Sequence, residues 1–183
     1  ITDILTDKTI EFLSRTKDDP FCIQLWHKAC HGPFTPAERH KDAAPDGRFK
    51  EPASWSIDFS DRPLWQRRIK AHGVHYKKWV ASEGKPVPDY IRPGKWKETN
   101  TTRLNMLRCL LAVDEGLGRV MQTLEEQGRL ENTVIIFMAD NGYFFGEHRR
   151  GDKRLAYEES IRVPFAIRYP AMLKGGSRIK GMV

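Results

Sequence analysis

Apolar and polar positions along the chain follow patterns that predict helices and strands in turn. Residues Thr2 to Lys17 carry a broad apolar face at helical spacing, and Thr2 is a candidate cap for its start. Phe21 to Trp26 place apolar residues on one side and predict a strand. The longest helix is predicted over Thr99 to Gln127, where leucines recur at helical spacing and Gly128 supplies a stop.

A continuous apolar run from Thr133 to Ala139 predicts a strand that is buried on both faces. The run stops abruptly at Asp140-Asn141-Gly142. A short helical turn is predicted over Ala156 to Ile161, and a third strand over Pro164 to Tyr169. This order of strands and helices predicts an α/β fold in which helices cover a sheet.

The middle of the chain is dominated by polar and proline-containing segments. Glu38 to Ser60 and Gly84 to Lys97 are predicted as loops, and Asp61 to Ser82 as a helix interrupted near Gly73. Long loops inside a compact domain are uncommon and often functional. These two loops are therefore candidates for a functional role.

Composition narrows the class of protein. The chain has 183 residues, of which 39% are apolar and 30% charged, so it is globular, with no apolar run long enough to cross a bilayer. A net charge of +7 favours anionic partners such as nucleic acid, sulfated glycans or acidic lipid, without choosing among them. No basic run is dense enough for a nucleic-acid arm, and an ordinary basic surface explains most of these charges.

Asp140 and Asn141 are the first candidates for chemistry, because both offer oxygen atoms where a predicted strand ends. Oxygen ligands suit hard cations such as calcium or magnesium. In open α/β sheets, ligands bind in the crevice beyond the carboxyl ends of strands. The alternative is a simple turn, which Asp-Asn-Gly also favours without any function.

Two further groups of polar residues belong to the same question. His148 and Lys153 follow Asp140 by a short loop, and a lysine beside a metal site can bind a tetrahedral oxyanion. Lys28 and His31 follow the strand predicted at Phe21 to Trp26. If the two strands are parallel neighbours, their ends share one edge. The alternatives are a solvated basic loop and a histidine packed against proline and phenylalanine.

At this point the residues resemble a known family, the type I sulfatases, of the arylsulfatase and N-acetylglucosamine-6-sulfatase kind. The resemblance covers most of the chain and is loose only over Lys41 to Asn100. Five blocks carry it, in the family's order: His27-Lys-Ala-Cys-His-Gly-Pro-Phe, Leu111-Ala-Val-Asp-Glu-Gly-Leu-Gly, Asn132 to His148, Gly151-Asp-Lys and Tyr157-Glu-Glu-Ser-Ile-Arg-Val-Pro.

The resemblance implies an alkaline-phosphatase-like α/β sandwich, of which residues 1–183 are a single partial catalytic domain. It implies hydrolysis of a sulfate ester with one calcium ion and a formylglycine. The implied partners are a sulfated carbohydrate or an aryl sulfate, with no nucleic acid and no membrane. A periplasmic or secreted location is expected.

The resemblance also implies roles for individual residues. Asp140 and Asn141 match the later two calcium ligands of the family. Lys153 matches the residue that binds sulfate and the bridging oxygen, and His31 the residue that assists departure of the alcohol. Lys28 and His148 are expected on the substrate side.

Two departures from the family pattern qualify these roles. The formylglycine signature, Cys/Ser-x-Pro-x-Arg, follows none of Cys22, Cys30 or Cys109, and the family's early aspartate pair is also absent. We therefore expect that these 183 residues alone cannot turn over sulfate esters. In addition, Arg149 stands where the family often has glycine after Glu-His.

Two other functions compete with this hypothesis. A metal-dependent phosphodiesterase of the same superfamily usually needs Asp-His pairs for zinc or manganese, and Asn141 in place of histidine argues against it. A noncatalytic polyanion-binding module is the second alternative, supported by the net charge of +7 and by the tryptophans.

Overall fold

The computed structural model describes residues 1–16, 19–44, 46–50, 52–56 and 99–181. The helix predicted over Asp61 to Ser82 and the loop over Gly84 to Lys97 lie outside the described residues. The chain divides into two compact units, and each is treated by itself. Unit 1 comprises Ile1–Asp46, Leu104–Met138 and Phe165–Val183, and unit 2 comprises Gly47–Arg103 and Ala139–Pro164. The single catalytic domain over residues 1–183 stays a prediction.

Two predicted helices are present. Helix α1 spans Thr2–Arg15 and helix α2 spans Thr99–Glu126, both close to their predicted bounds. The predicted cap at Thr2 is wrong: Ile1 occupies the capping position and makes no side-chain hydrogen bond. Thr2 lies inside the first turn, where its carbonyl accepts a hydrogen bond from the Thr6 hydroxyl at 3.1 Å.

The core of unit 1 forms where α1 meets the C-terminal part of α2. Leu13 and Leu124 are almost fully buried together with Leu130. Five partly buried side chains pack around them: Phe21, Ile23, Val120, Met121 and Ile135. The two helices approach closely, because a Cβ atom added at Gly116 would lie 2.5 Å from the Thr6 hydroxyl. The predicted apolar faces are only partly the ones that meet: α1 buries Thr6, Thr9 and Leu13, while Phe12 of α1 and Leu107 and Leu111 of α2 are exposed.

Charged side chains at the surface of unit 1 join its elements. The Arg39 guanidinium, in a 3₁₀ turn at Glu38–His40, donates to Asp3 of α1 at 2.8 Å and to Glu115 of α2 at 2.7 Å. These hydrogen bonds hold the pKa values of both carboxyl groups below their ordinary values and raise the pKa of Arg39.

The strand that precedes Asp140 pairs differently from the prediction. Strand β1, Ile135–Met138, pairs antiparallel with strand β4, Phe165–Arg168, so that Ile135 faces Arg168. The prediction that β1 is buried on both faces is wrong in this structure, since Ile136, Phe137 and Met138 are 54%, 41% and 59% exposed. Among the described residues, Ile135 is the residue of β1 that packs against the core of unit 1, and β4 is the only strand that pairs with β1.

The strand predicted over Phe21 to Trp26 is also not formed. The segment belongs to none of the described strand pairs. Phe21 instead packs against the core, with the Arg129 guanidinium 4.5 Å from its ring centre, and Trp26 is exposed. The alternation of apolar residues is therefore used for packing rather than for strand pairing.

Unit 2 contains a short hairpin and a short helix. Strands β2, Phe144–Phe145, and β3, Gly151–Asp152, pair antiparallel, and helix α3 spans Glu158–Ile161. The fully buried Phe144 ring packs edge-on against Tyr157, with ring centres 5.7 Å apart. This packing ties the hairpin to the segment that leads into α3.

Candidate active site

The Asp140-Asn141-Gly142 segment forms a hydrogen-bonded turn directly after β1. The Asn141 backbone N–H donates to Asp140 Oδ1 at 3.0 Å, and Asn141 Nδ2 donates to the Gly142 carbonyl at 2.7 Å. In the described part of the chain, Asp140 Oδ2 and Asn141 Oδ1 take part in no hydrogen bond. Both oxygens are thus available to an outside ligand.

Gly142 lies against helix α3. Its backbone N–H donates to the Ser160 carbonyl at 2.9 Å. A Cβ atom added there would overlap the Glu159 carbonyl oxygen and lie 2.8 Å from the Arg162 carbonyl oxygen. Only glycine permits so close an approach of two backbones, and the turn is therefore seated on α3 at this residue.

Lys153 follows the β2–β3 hairpin and is half-buried. Its two neighbours have positive φ angles, 64° at Asp152 and 81° at Arg154. Residues other than glycine adopt this region rarely, and such residues are held there by their surroundings, often at functional sites. The loop geometry around Lys153 is thus imposed by tertiary contacts.

One of these contacts comes from α3. The Ser160 side chain is buried, and its hydroxyl oxygen accepts the backbone N–H of Arg154 at 3.0 Å and that of Leu155 at 3.4 Å. Neither Ser160 nor Arg154 is predicted from the sequence as a site residue. The block Tyr157-Glu-Glu-Ser contained the serine, but no spacing pattern marks a serine as an acceptor for loop amides.

An open cavity of about 590 Å³ joins these features. It is lined by Asp140 and Asn141, by residues 153–156, and by Ser160 and Ile161. Three residues predicted from the sequence as metal and oxyanion ligands therefore meet at one cavity. The remaining wall is largely apolar, with Leu155, Ala156 and Ile161.

The residues at this cavity fit calcium in kind. A carboxylate and an amide oxygen are ligands of hard cations, and calcium takes about six to eight oxygens. Asp140 and Asn141 supply part of such a set. No cluster of three or more His, Cys, Asp or Glu side chains suitable for a metal occurs among the described residues. Two oxygen ligands are too few to make up a calcium site by themselves, and the role of Asp140 and Asn141 as ligands stays a prediction.

His148 lies in unit 2 but does not line the cavity. Its Nε2 is 3.2 Å from Glu159 Oε1, its ring packs against Tyr157 at 4.8 Å, and its backbone N–H donates to the Ser54 hydroxyl. It has a positive φ of 52°. Its expected place on the substrate side stays a prediction, and the structure shows it joined to α3.

Arg150, two residues after His148, is a buried arginine. Arg150 is 2% exposed, and its guanidinium lies over the Tyr157 ring at 5.5 Å. Burial lowers the pKa of Arg150, and Tyr157 partly offsets this effect. A solvated basic loop is therefore wrong for Arg150, whose side chain belongs to the packing beneath the loop.

Lys28 and His31 both lie in unit 1 and are exposed. His31 Nδ1 is 3.1 Å from the Gly32 carbonyl. Their convergence with Asp140 and Lys153, which lie in unit 2, stays a prediction. Nearby, burial lowers the pKa of His27.

Comparison with known proteins decides the family. The family model described as Sulfatase matches residues 1–181. The chain belongs to the sulfatase family. It is 33% identical to an N-acetylglucosamine-6-O-sulfatase of Bacteroides thetaiotaomicron over 96% of the chain and 39% of that protein. It is 37% identical to an arylsulfatase of Volvox carteri over 76% of the chain and 19% of that protein.

Solved sulfatase structures confirm the fold. A protein solved in complex with its substrate, D-glucosamine-2-N,6-O-disulfate, matches 96% of the chain and 44% of its own, with 32% identity and a TM-score of 0.75. The predicted alkaline-phosphatase-like fold is therefore confirmed, in part of its extent.

The sulfatase chain described here spans about two fifths of the length of its N-acetylglucosamine-6-O-sulfatase relative. None of its cysteines or serines stands in a Cys/Ser-x-Pro-x-Arg sequence. No residue of the chain is therefore assigned the role of the formylglycine nucleophile. Among the described residues, no helix is both long and apolar enough to cross a membrane.

Proposed function

We propose that the natural protein carrying this chain hydrolyses sulfate esters of carbohydrates. The observation that carries the proposal is that Asp140, Asn141 and Lys153 line one cavity. Oxygen ligands for a hard cation and a lysine ammonium beside the same space suit a sulfate group. The name of the N-acetylglucosamine-6-O-sulfatase relative and the disulfated glucosamine of the solved relative support a sulfated amino sugar as substrate.

The chemistry follows from the charges. Lys153 offers three N–H donors and a positive charge to the sulfate oxygens and to the bridging oxygen, where negative charge develops as the ester breaks. Asp140 Oδ2 and Asn141 Oδ1 would hold calcium, which when bound supplies further positive charge to the sulfate. Leu155 and Ala156 line one side of the open cavity with apolar side chains.

His31 is proposed to donate a proton to the departing alcohol oxygen, a step that histidine side chains commonly carry out in general acid catalysis. Lys28 and His148 are proposed on the substrate side. A periplasmic or secreted location of the natural protein also stays a prediction.

Turnover of glucosamine 6-sulfate by the complete natural protein, with calcium, tests the proposal. Lys153→Ala should lower kcat about 10²-fold or more, the loss typical of removing one donor to a developing oxyanion. Asp140→Ala should raise the calcium concentration needed for half-maximal activity. Lys8→Ala is the matched control, because among the described residues Lys8 pairs with Glu11 alone, on the surface of α1.

Absence of sulfate release by the complete protein on glucosamine sulfates and on an aryl sulfate would refute the proposal. Equal turnover in Lys153→Ala and Lys8→Ala would refute the role of the cavity. The 183 residues alone should release no sulfate, since they contain no formylglycine signature. Clear turnover by them would show that the nucleophile lies within this chain.

A further inference from the structure

Ser160 connects the two sides of the candidate active site. Its backbone carbonyl accepts the Gly142 N–H at 2.9 Å, which seats the Asp140–Gly142 turn. Its hydroxyl accepts the backbone N–H groups of Arg154 and Leu155, which directly follow Lys153. One buried residue of a four-residue helix therefore holds both the turn with the oxygen ligands and the loop with the cation.

The Ser160 hydroxyl oxygen accepts two hydrogen bonds in this position. A serine oxygen has two lone pairs, and here it accepts two backbone N–H groups. Arg154 has a φ of 81°, a conformation that a residue with a side chain adopts only when its surroundings impose it. The bond from Arg154 N–H to Ser160 Oγ is a direct means of imposing it.

We infer that Ser160 is a positioning residue, which fixes Lys153 relative to Asp140 and Asn141. The inference rests on the proposed function for its consequence in catalysis, but not for its structural content. The two halves of the link are chemically separate. The turn is held by a backbone carbonyl, which any residue at position 160 retains, and the loop is held by a hydroxyl, which only some residues retain.

This separation predicts a selective effect of Ser160→Ala. Backbone amides in residues 152–156 should lose protection against hydrogen exchange about tenfold, the size expected from one lost hydrogen bond. Amides in residues 140–143 should keep theirs, because the acceptor for Gly142 is unchanged. Ser160→Thr, which retains a hydroxyl, should restore the protection of the loop. The measurement is exchange read by mass spectrometry on the complete natural protein.

The consequence for the site should be equally selective. In Ser160→Ala, kcat for a sulfated glucosamine and affinity for inorganic sulfate should fall about tenfold or more, since small misplacements of a catalytic group are costly. Calcium affinity, measured by titration calorimetry, should stay within about twofold of wild type, because the turn is retained. Ser160→Thr should recover turnover.

Three results would overturn the inference. The first is unchanged exchange in residues 152–156 of Ser160→Ala. The second is lost protection with turnover and sulfate affinity equal to wild type. The third is a parallel fall in calcium affinity and turnover, which would indicate general damage to the unit.

The role of Ser160 can still be tested in two further cases. If Ser160→Ala does not fold, Ser160→Cys keeps the volume with a much weaker acceptor and replaces it. If the wild-type protein releases no sulfate, the proposed function fails on its own, and hydrogen exchange together with the affinity for inorganic sulfate still decides the role of Ser160.

Discussion

At the scale of single residues, Gly142 is where backbone geometry bears most directly on the candidate calcium site. Gly142→Ala places a methyl group against the carbonyl oxygens of Glu159 and Arg162, and both are backbone atoms that cannot turn aside. The turn must move away from α3 and carry Asn141 with it. We expect calcium affinity of the complete protein to fall about tenfold or more, on the order of 1–3 kcal/mol of strain and lost contact.

The matched control is Gly118→Ala in helix α2, where an added Cβ meets no atom within 4 Å. Alanine there should leave calcium binding unchanged and favour the helix slightly. Titration calorimetry with calcium compares the two variants. Equal affinities in both would show that the turn does not depend on its contact with α3.

The site residues with charged or amide side chains could be predicted from the sequence. Asp140 and Asn141 were predicted because an apolar run ends at them, and Lys153 because it follows by a short loop. Their meeting at one cavity agrees with that reasoning. Ser160 was not predicted, because its role depends on which amides a folded loop presents to it, and no local pattern encodes that.

At the scale of elements, the bounds of helices α1 and α2 agree with their periodicity, whereas their buried faces and the strand pairing agree with the prediction only in part. Helices α1 and α2 satisfy their backbone hydrogen bonds internally, so the local spacing of apolar residues was enough to predict where they begin and end. A strand requires a partner strand, and the apolar alternation at Phe21 to Trp26 does not indicate which segment that partner would be. The antiparallel partner of β1 could not be predicted either, because the register and direction of strand pairing depend on contacts between distant parts of the chain.

The packing of α1 on α2 carries more stability than the ion pairs at their surface. Leu124 is 2% exposed and lies in the core with Leu13. Leu124→Ala should lower the free energy of unfolding by about 2–5 kcal/mol, through lost burial and the cavity left behind. The control is Leu111→Ala on the same helix, whose side chain is 39% exposed. Urea denaturation measures both.

A loss for Leu124→Ala no greater than that for Leu111→Ala would contradict this account of the core.

The ion pairs of Arg39 with Asp3 and Glu115 should contribute less to the free energy of unfolding than the core, because surface pairs are screened by water and salt. Their pH dependence has a fixed sign. Both carboxyl pKa values are lowered in the folded state, so the stabilisation is present above their unfolded pKa values and disappears as the pH falls through the folded ones.

At the scale of the whole molecule, the net charge of +7 and the focused cavity are separate means of meeting a sulfated ligand. The charge comes from 31 basic and 24 acidic residues distributed along the chain, and it acts on any polyanion. The cavity acts on a single sulfate group. A polyanion-binding module and a sulfatase therefore differ in which of the two their function requires.

Heparin binding measured at several salt concentrations distinguishes a polyanion-binding module from a sulfatase. Binding through the distributed charge should weaken steeply between low salt and about 0.15 M, where the Debye length is about 8 Å. Lys153→Ala and Asp140→Ala each change the net charge by one, in opposite directions, so both should leave this curve nearly unchanged. The same variants should impair hydrolysis of a sulfated glucosamine. If Lys153→Ala instead abolished heparin binding while Lys8→Ala did not, the polyanion would be held at the cavity itself, and the surface charge would have no binding role of its own.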